Sequence, residues 1–213
     1  MENFKFTNNW FNDAAKHQWE KLISQIKPKK ILEIGSYEGA STCYLIEKLA
    51  QENSIEIHCI DAWNIEMGDD TDYKHYGSNV DMSAVESRFR QNTKLAIERA
   101  SKKVDFFIHK GFSDNQLVKL LSDGKKNYFD FIYIDGSHLG PDVLCDAVLS
   151  FRLLKINGVM AFDDYLWPSA NKSLTRIPKL AIDSFVNLYS EKLIFSMRLS
   201  IKYILKKYLI KLS

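Results

Sequence analysis

An apolar run breaks into a glycine loop at Ile31-Leu32-Glu33-Ile34-Gly35-Ser36-Tyr37-Glu38-Gly39-Ala40-Ser41. The residues before the loop are typical of a buried strand, and those after it are typical of a helix start. Gly35 lets the chain turn sharply and lets a ligand approach the backbone, whereas Gly39 lets the next helix pack closely. The stretch therefore predicts a strand–loop–helix unit with a ligand site at the loop.

The same alternation of strand and helix continues along the chain. Strand-like runs lie at 30–34, 56–60, 104–108, 129–134 and 159–162, with helical patterns between them. This order predicts an α/β fold with a Rossmann-like, doubly wound, mostly parallel sheet and helices on both faces. The tail adds a helix near 177–189 and strand-like runs near 192–197 and 198–205, so we expect an antiparallel strand near the C-terminus.

Length and composition are those of one domain. The 213 residues suffice to bury a sizeable core, and 46% hydrophobic and 26% charged residues are ordinary for a globular protein. We predict a single domain over 1–213, with an N-terminal helix in 1–27. An insert at 64–82 has no regular period, and we interpret it as a lid over the ligand site or as a surface loop.

Charge and apolar runs argue against several classes of function. A net charge of +2 is too small to indicate nucleic-acid binding, and no apolar run approaches the length of a transmembrane segment. The polar N-terminus lacks the apolar core of a secretion signal. Cys43, Cys59 and Cys145 are odd in number and widely spaced, which favours a reducing, cytoplasmic location. The sequence leaves open whether the protein forms homo-oligomers.

The spacing of the loop glycines indicates what kind of cofactor it holds. Gly35 and Gly39 do not match the dinucleotide fingerprint, and the loop lacks the Gly-Lys-Ser/Thr ending of a phosphate loop. Glu33 would place a carboxylate where the pyrophosphate of a dinucleotide would lie. The loop therefore disfavours NAD and suggests a ligand with a cationic end.

Residues 32–42 resemble motif I of class I S-adenosylmethionine-dependent methyltransferases, and Asp61 resembles their acidic motif II residue. The resemblance is closest to the small O-methyltransferases of the catechol type and of the macrolide and aminocoumarin sugar types. It implies S-adenosylmethionine as the cofactor and a small hydroxylated molecule as the acceptor. It also implies that Asp61 accepts both ribose hydroxyls, although a helix cap or loop acid is the competing interpretation.

The resemblance implies a set of cofactor-binding residues at the strand ends. Gly111 and Ser113 resemble the loop that borders the adenine. Ser41 lies where the family binds the methionine carboxylate, or is an ordinary helix-start serine. Trp63 either flanks the adenine or packs in the core. The whole predicted set is Glu33, Gly35, Ser36, Tyr37, Gly39, Ser41, Asp61, Ala62, Trp63, Gly111, Ser113 and Asp135.

Three aspartates follow two of the strand-like runs, Asp135 after one and Asp163 and Asp164 after the other. If those strands are neighbours, the three carboxylates meet at one edge and raise one another's pKa unless a cation intervenes. A divalent cation with oxygen ligands resolves this, and Mg²⁺ is the metal we expect. The metal-dependent branch of the family shows the same arrangement. In the alternative interpretation, Asp163 and Asp164 cap the loop and Asp135 binds only cofactor.

His138 lies where catechol-type relatives hold a lysine that acts as general base. Histidine has a suitable pKa near neutrality, so we name His138 and Asp135 as catalytic candidates; a cofactor contact for His138 is equally supported. The sequence thus predicts an S-adenosylmethionine-dependent O-methyltransferase, Mg²⁺-dependent, that acts on a hydroxyl of a small molecule or sugar. A metal-independent methyltransferase and a catalytically silent cofactor-binding domain are the alternatives.

Overall fold

The computed structural model describes residues 3–64, 80–167, 177–195 and 207–212. Seven strands occur in these residues: β1 (Lys30–Ile34), β2 (Ile55–Asp61), β3 (Val104–Lys110), β4 (Phe129–Ile134), β5 (Leu154–Phe162), β6 (Leu193–Phe195) and β7 (Lys207–Lys211). They form one sheet in the order β3-β2-β1-β4-β5-β7-β6. The strands from β1 to β5 pair in parallel, and β7 runs antiparallel to both β5 and β6. The predicted doubly wound sheet is therefore confirmed.

Helices connect the strands. They are α1 (Lys16–Ile26), which follows a π-helical turn at Phe11–Ala15, then α2 (Ala40–Leu49), α3 (Met82–Glu98), α4 (Ser113–Ser122), α5 (Gly140–Leu153) and α6 (Pro178–Leu188). Asp81 caps α3, because its side chain accepts hydrogen bonds from the N–H groups of Ser83 and Ala84. None of the helices in the described ranges combines the length and apolarity that crossing a membrane requires.

Two sequence predictions fall on residues that the structure does not describe. The interpretation of the 64–82 insert as a lid concerns mainly residues 65–79, which lie outside the described ranges. The predicted strand-like run at 198–205 also lies outside them. The antiparallel partner of β5 is instead the strand at Lys207–Lys211, pairing Val159 with Ile210.

The core lies on both faces of the sheet. Ile31 points into a cluster beneath α1, α2 and α3, whereas its neighbour Leu32 points into a cluster beneath α4, α5 and α6. A strand that is buried on both sides needs apolar residues at successive positions, which is why the central strands are continuous apolar runs. Trp19 is fully buried in the first cluster, with its ring 4.6 Å from that of Tyr133.

The loops that follow the five parallel strands are tied together at one edge, which we call the carboxyl rim. Four backbone hydrogen bonds of 2.8–2.9 Å connect them: Gly35 N–H to Ile60 C=O, Gly111 N–H to Asp61 C=O, Asp135 N–H to Ile34 C=O, and Asp163 N–H to Ile134 C=O. Ligand sites of open α/β sheets lie at this edge. We therefore expect the functional site at the carboxyl rim.

Two histidines contact each other across β2 and β3. His58 Nδ1 lies 2.8 Å from His109 Nε2, and His58 Nε2 lies 2.8 Å from Glu56 Oε1. Because a carboxylate only accepts, the network assigns the His58 proton to Nε2, so that Nδ1 accepts from His109. Burial lowers the pKa of His58, and burial together with the neighbouring His58 lowers the pKa of His109 to about 4.

We expect acid to destabilise the fold through this pair. Protonation of His58 would place its new N–H against the N–H of His109. Since both pKa values lie below the ordinary value of 6.5, the stabilisation is present above that pH and is lost as the pH falls toward about 4. Thermal melts should show Tm falling by ~3–6 °C between pH 7 and pH 5. The variant His109→Gln should reduce this fall, and an unchanged fall would assign it to other groups.

Candidate functional site

The loop after β1 packs directly against the backbone of Asp135. Gly35 has a φ of +84°, and a Cβ added to it would lie 1.9 Å from the carbonyl oxygen of Asp135. Glycine is therefore required here both for the backbone conformation and for the close approach. Gly39 also has a positive φ, and its added Cβ would lie 3.0 Å from the ring of Phe89 on α3. The two glycines bring the loop against β4 on one side and α3 on the other.

Glu33 holds the glycine loop from inside. Its side chain is fully buried and accepts hydrogen bonds from the hydroxyls of Ser36, at 2.8 Å, and of Ser41 and Thr42. Burial raises the pKa of Glu33, and these hydrogen bonds lower it. Because Glu33 and Ser41 direct their polar atoms at each other, the geometry supports a role in holding the loop. Their direct contact with a cofactor stays a prediction.

Asp61 fastens the end of β2 to the same loop. Its Oδ2 accepts from the N–H groups of Ser36, at 2.9 Å, and Tyr37, at 2.8 Å, and its Oδ1 accepts from Trp63 N–H at 2.8 Å. Burial raises the pKa of Asp61, and the three backbone hydrogen bonds oppose that rise. The carboxylate thus lies at the carboxyl rim beside the loop, in the place that the sequence predicts for it.

Trp63 packs in the core, the second of the two interpretations that the sequence allows. It is 5% exposed, its ring lies 4.8 Å from Phe89, and its indole N–H donates to the carbonyl oxygen of Tyr37 at 2.9 Å. Ala62, which precedes it, is half-buried. In this conformation Trp63 supports the glycine loop through its hydrogen bond to Tyr37. A contact between Trp63 and the adenine stays a prediction.

Ser113 lies at the rim and influences the pKa of Asp146, a buried residue that sequence analysis misses. It follows Gly111, whose φ of +142° turns the chain from β3 into α4. Burial raises the pKa of Asp146 of α5, a carboxyl that is 1% exposed, to about 7, and the Ser113 hydroxyl opposes that rise. A sequence signal for Asp146 exists, because it stands three residues after Val143 and directly before Ala147 on the apolar face of its helix.

A tyrosine stands between two of the three predicted acids. The hydroxyl of Tyr133 lies 2.9 Å from Asp135 Oδ2 and also contacts Asp163 Oδ2. Tyr133 is 1% exposed, and burial together with the two carboxylates raises its pKa well above the usual value. Sequence analysis misses Tyr133, although its position two residues before Asp135 places both side chains on one face of the sheet.

Asp164, the third of the predicted acids, pairs with His138 rather than with Tyr133. His138 Nε2 lies 2.9 Å from Asp164 Oδ2, and the ring of Trp167 lies 4.6 Å from that of His138. Asp164 has a φ of +52°, so the chain turns sharply after Asp163 and sends the two adjacent carboxylates in different directions. Residues of both contacts line one small cavity at the rim, including Asp135, His138, Asp163 and Asp164.

The arrangement of the acids does not fit a divalent cation. Carboxylate oxygens have the right chemistry for Mg²⁺, and all three aspartates reach the carboxyl rim. Asp135 and Asp163 share Tyr133, however, whereas Asp164 faces His138. Over the described residues, no three His, Cys, Asp or Glu side chains converge in a way that would hold a metal ion. Magnesium therefore stays a prediction, and we assign no step of the reaction to it.

A larger groove of about 390 Å³ opens beside Tyr37. The ring of Trp10 lies 5.3 Å from that of Tyr37. Buried Glu38 accepts hydrogen bonds from Arg88 Nε at 2.5 Å and from Thr7 N–H at 2.7 Å. These contacts tie the N-terminal segment and α3 to the glycine loop. The N-terminal segment thus forms part of the site, which the sequence alone does not indicate.

The parallel sheet, the glycine loop and the acids at the ends of β2, β4 and β5 define a class I methyltransferase domain. A family model described as "Methyltransferase domain" matches residues 32–165, more than half of the chain. The chain belongs to this family. The predicted membership of the class I S-adenosylmethionine-dependent methyltransferases is therefore confirmed.

Named relatives and solved structures agree with this assignment. The protein named "Probable caffeoyl-CoA O-methyltransferase 3" of Dictyostelium discoideum is 24% identical over 168 residues, which cover 78% of this chain. The match covers 55% of that relative, so the chain spans about half of its length.

Two solved structures share the fold. The O-methyltransferase TomG from Streptomyces achromogenes, in complex with S-adenosylmethionine, has a TM-score of 0.64 and 14% identity, covering 92% of this chain and 78% of TomG. The TDP-rhamnose 3'-O-methyltransferase CalS11 has a TM-score of 0.59 and 14% identity, covering 98% of this chain and 88% of CalS11. At such low identity these likenesses show the fold alone.

Proposed function

We propose that this chain is an S-adenosylmethionine-dependent O-methyltransferase that acts on a hydroxyl of a small molecule. The observation that carries the proposal is the close packing of Gly35 on Asp135 at the carboxyl rim, with Asp61 fastened to the same loop. The names of the relatives support O-methylation, and CalS11 supports a sugar as one kind of acceptor. The cytoplasmic location and any homo-oligomer stay predictions from the sequence.

The proposed cofactor site runs along the rim from β3 to β4. S-adenosylmethionine, when bound, would supply a methyl group carried on a positively charged sulfur, and the sulfur would leave as the acceptor oxygen attacks the methyl carbon in line. Gly35 lets the cofactor approach the backbone, and Asp61 offers the remaining lone pair of its Oδ1 to the ribose. Glu33 and Ser41 hold the loop in this proposal, and Gly111 and Ser113 border the adenine.

The chain's own residues would then activate and position the acceptor hydroxyl. His138 would take the hydroxyl proton, and Asp164 would hold the ring in place through its 2.9 Å contact with Nε2. The ring of Trp167, tilted against that of His138, restricts it further. Holding the acceptor oxygen close to the methyl group lowers the barrier by several kcal/mol, up to ~7–11 kcal/mol in ideal cases.

The division of the acids favours a metal-independent form of this reaction. A magnesium site would require Asp164 to leave His138 and to join Asp135 and Asp163. The His138–Asp164 contact supports His138 as a base that acts without a metal. The Mg²⁺-dependent form is kept as the second candidate, because all three carboxylates lie at the same rim.

Calorimetric titration with S-adenosylhomocysteine tests the cofactor assignment. We expect the wild-type protein to bind it and Asp61→Asn to bind at least ~10-fold more weakly, because an amide nitrogen cannot accept the backbone hydrogen bonds that Asp61 accepts. Asp105→Asn, at a partly exposed carboxylate on β3, removes the same charge and should bind normally. Absence of binding by the wild-type protein would refute the proposed function.

Turnover with hydroxylated acceptors then separates the two forms of the reaction. S-adenosylhomocysteine release should be measured with catechols, phenolic acids and nucleotide sugars, each with added Mg²⁺ and with excess EDTA. Activity that persists in EDTA supports the metal-independent form. Activity that requires Mg²⁺ would overturn that form and restore the predicted metal site.

A further inference from the structure

The groove beside Tyr37 has an aromatic wall. Its volume of about 390 Å³ lies in the range of small-molecule sites. Trp10, on the N-terminal segment, is 51% exposed, and its ring lies 5.3 Å from that of Tyr37 at an angle of 38°. Half of the indole surface therefore faces solvent, and a ligand that lies against it would remove apolar area from water. The two rings offer such a ligand one apolar surface.

Helix α3 forms another side of the groove. Asp81, Ala84 and Arg88 line it, and their spacing of three and four residues places them on one face of the helix. At 1.5 Å per residue, Asp81 and Arg88 stand about 10 Å apart along the helix axis. Ala84 lies between them, and its side chain is a single methyl group. The helix thus presents two charged side chains on either side of a gap.

Both charged side chains keep hydrogen-bonding capacity for a ligand. Arg88 donates from Nε to Glu38 Oε1 at 2.5 Å, and its other four N–H groups have no partner among the residues that the structure describes. Asp81 accepts from the N–H groups of Ser83 and Ala84 with Oδ1. Its Oδ2 has no partner in the same described ranges. The gap is therefore flanked by a donor at one end and an acceptor at the other.

The N-terminal segment adds a further donor and a further acceptor. Asn8 Oδ1 accepts from Trp10 N–H at 3.2 Å, which leaves the side-chain NH₂ group to donate. The Thr7 hydroxyl donates to Glu38 Oε1 at 2.8 Å, which leaves its lone pairs to accept. A sugar hydroxyl both donates and accepts, and the C–H face of a sugar ring packs against aromatic rings. The groove combines both kinds of contact.

The charges at the groove favour a neutral ligand. Arg88 is paired with Glu38, which is 2% exposed, so that its positive charge is already balanced. Asp81 adds a negative charge at the other end of the gap. A carboxylate or phosphate in the gap would therefore meet a like charge without a free cation among the described lining residues.

We propose that the groove beside Tyr37 binds the neutral sugar ring of the acceptor. Trp10 packs against the C–H face of the ring, and Asp81 and Arg88 form hydrogen bonds with its hydroxyls. The inference rests on the proposed function and deepens it, because it names the acceptor class and the residues that select it. Tyr37 joins the groove to the proposed cofactor site, since its N–H donates to Asp61. A phenol would use the aromatic wall but leave the polar groups without partners, so that it should bind less well.

NMR titration of the full chain, saturated with S-adenosylhomocysteine, tests the proposal. The probes are the methyl glycosides of glucose, galactose and mannose, the three corresponding methyl uronates with a free carboxylate, and catechol. At least one neutral glycoside should bind, ~2–5-fold more tightly than its uronate and more tightly than catechol. The proposal is overturned if no neutral glycoside binds, or if a uronate or catechol binds more tightly than all of them.

Two variants locate the binding in the groove. Ala84→Leu fills the gap on α3 and should weaken binding of the glycoside by ~10-fold or more. Trp10→Ala removes the exposed ring and should weaken it by ~3–10-fold. Ser83→Leu is the matched control, because Ser83 is exposed, adjoins Ala84 and does not line the groove. Unchanged binding in both Ala84→Leu and Trp10→Ala, or an equal loss in Ser83→Leu, would contradict the proposal.

Asp81→Asn tests the selection against charged acceptors. Asparagine is as good a helix cap as aspartate, so that the variant keeps the start of α3 while it loses the negative charge. It should bind the neutral glycoside as before and the matched uronate more tightly, which narrows the preference to less than ~2-fold. An unchanged preference would show that Asp81 does not select the ligand.

The two titrations of the wild-type protein separate failure of the proposed function from failure of this inference. If S-adenosylhomocysteine does not bind, the proposed function fails, and titration of the free protein with the glycosides still tests the groove. If S-adenosylhomocysteine binds and no neutral glycoside does, the cofactor assignment stands and the sugar site fails.

Discussion

Gly35→Ala is expected to abolish cofactor binding and to lower the free energy of unfolding by about 3 kcal/mol or more. The new Cβ would lie 1.9 Å from the carbonyl oxygen of Asp135, at a φ of +84°. Neither atom belongs to a flexible side chain, so the loops after β1 and β4 would have to separate. The N–H of Asp135 donates a hydrogen bond to the carbonyl oxygen of Ile34. Separation of the two loops would therefore also break this hydrogen bond at the carboxyl rim.

Gly124→Ala is the control that separates backbone strain from the clash. Gly124 has a φ of +80°, close to that of Gly35, but an added Cβ would meet nothing within 4 Å. Its cost should be about 1 kcal/mol, from strain alone. Urea unfolding and titration with S-adenosylhomocysteine should be measured on both variants. Equal losses would mean that the packing of Gly35 on Asp135 contributes nothing.

The fold could be predicted because its main signals are local. Successive apolar residues in β1 and β4 indicate strands buried on both faces, and each run is closed by a loop or turn. The sequence predicts an antiparallel strand near the C-terminus, but its strand-like runs near 192–197 and 198–205 do not include β7 at Lys207–Lys211. A strand of five residues with a lysine at each end carries too weak a pattern to fix its boundaries.

The site could be predicted only at the level of the backbone. The strand ends place Asp135 and Asp163 at one rim, and the sheet register confirms that β4 and β5 are neighbours. Where each carboxylate points depends on loop dihedrals, such as the positive φ of Asp164, that no periodicity reveals. The contact of Thr7 with Glu38 was invisible for another reason, because it joins residues 31 positions apart.

His138→Gln is expected to lower kcat by ~10²–10⁴-fold, the contribution of a positioned general base. Glutamine can still donate to Asp164 but cannot take a proton near neutral pH. The affinity for S-adenosylhomocysteine, measured by calorimetry, should change by less than ~2-fold. The exposed variant His17→Gln is the matched control and should leave kcat unchanged. A weakened affinity with an unchanged kcat would instead assign His138 to the cofactor contact that the sequence leaves open.

Asp164→Asn decides how the acid next to this histidine acts. If Asp164 works by holding the His138 ring, the double variant His138→Gln/Asp164→Asn should be no slower than His138→Gln alone, because the ring it holds is already gone. If Asp164 instead binds a metal with Asp135 and Asp163, its loss should add to that of His138, and excess EDTA should silence the wild-type enzyme. Since Asp164 faces His138 while Tyr133 joins the other two acids, we expect the non-additive result.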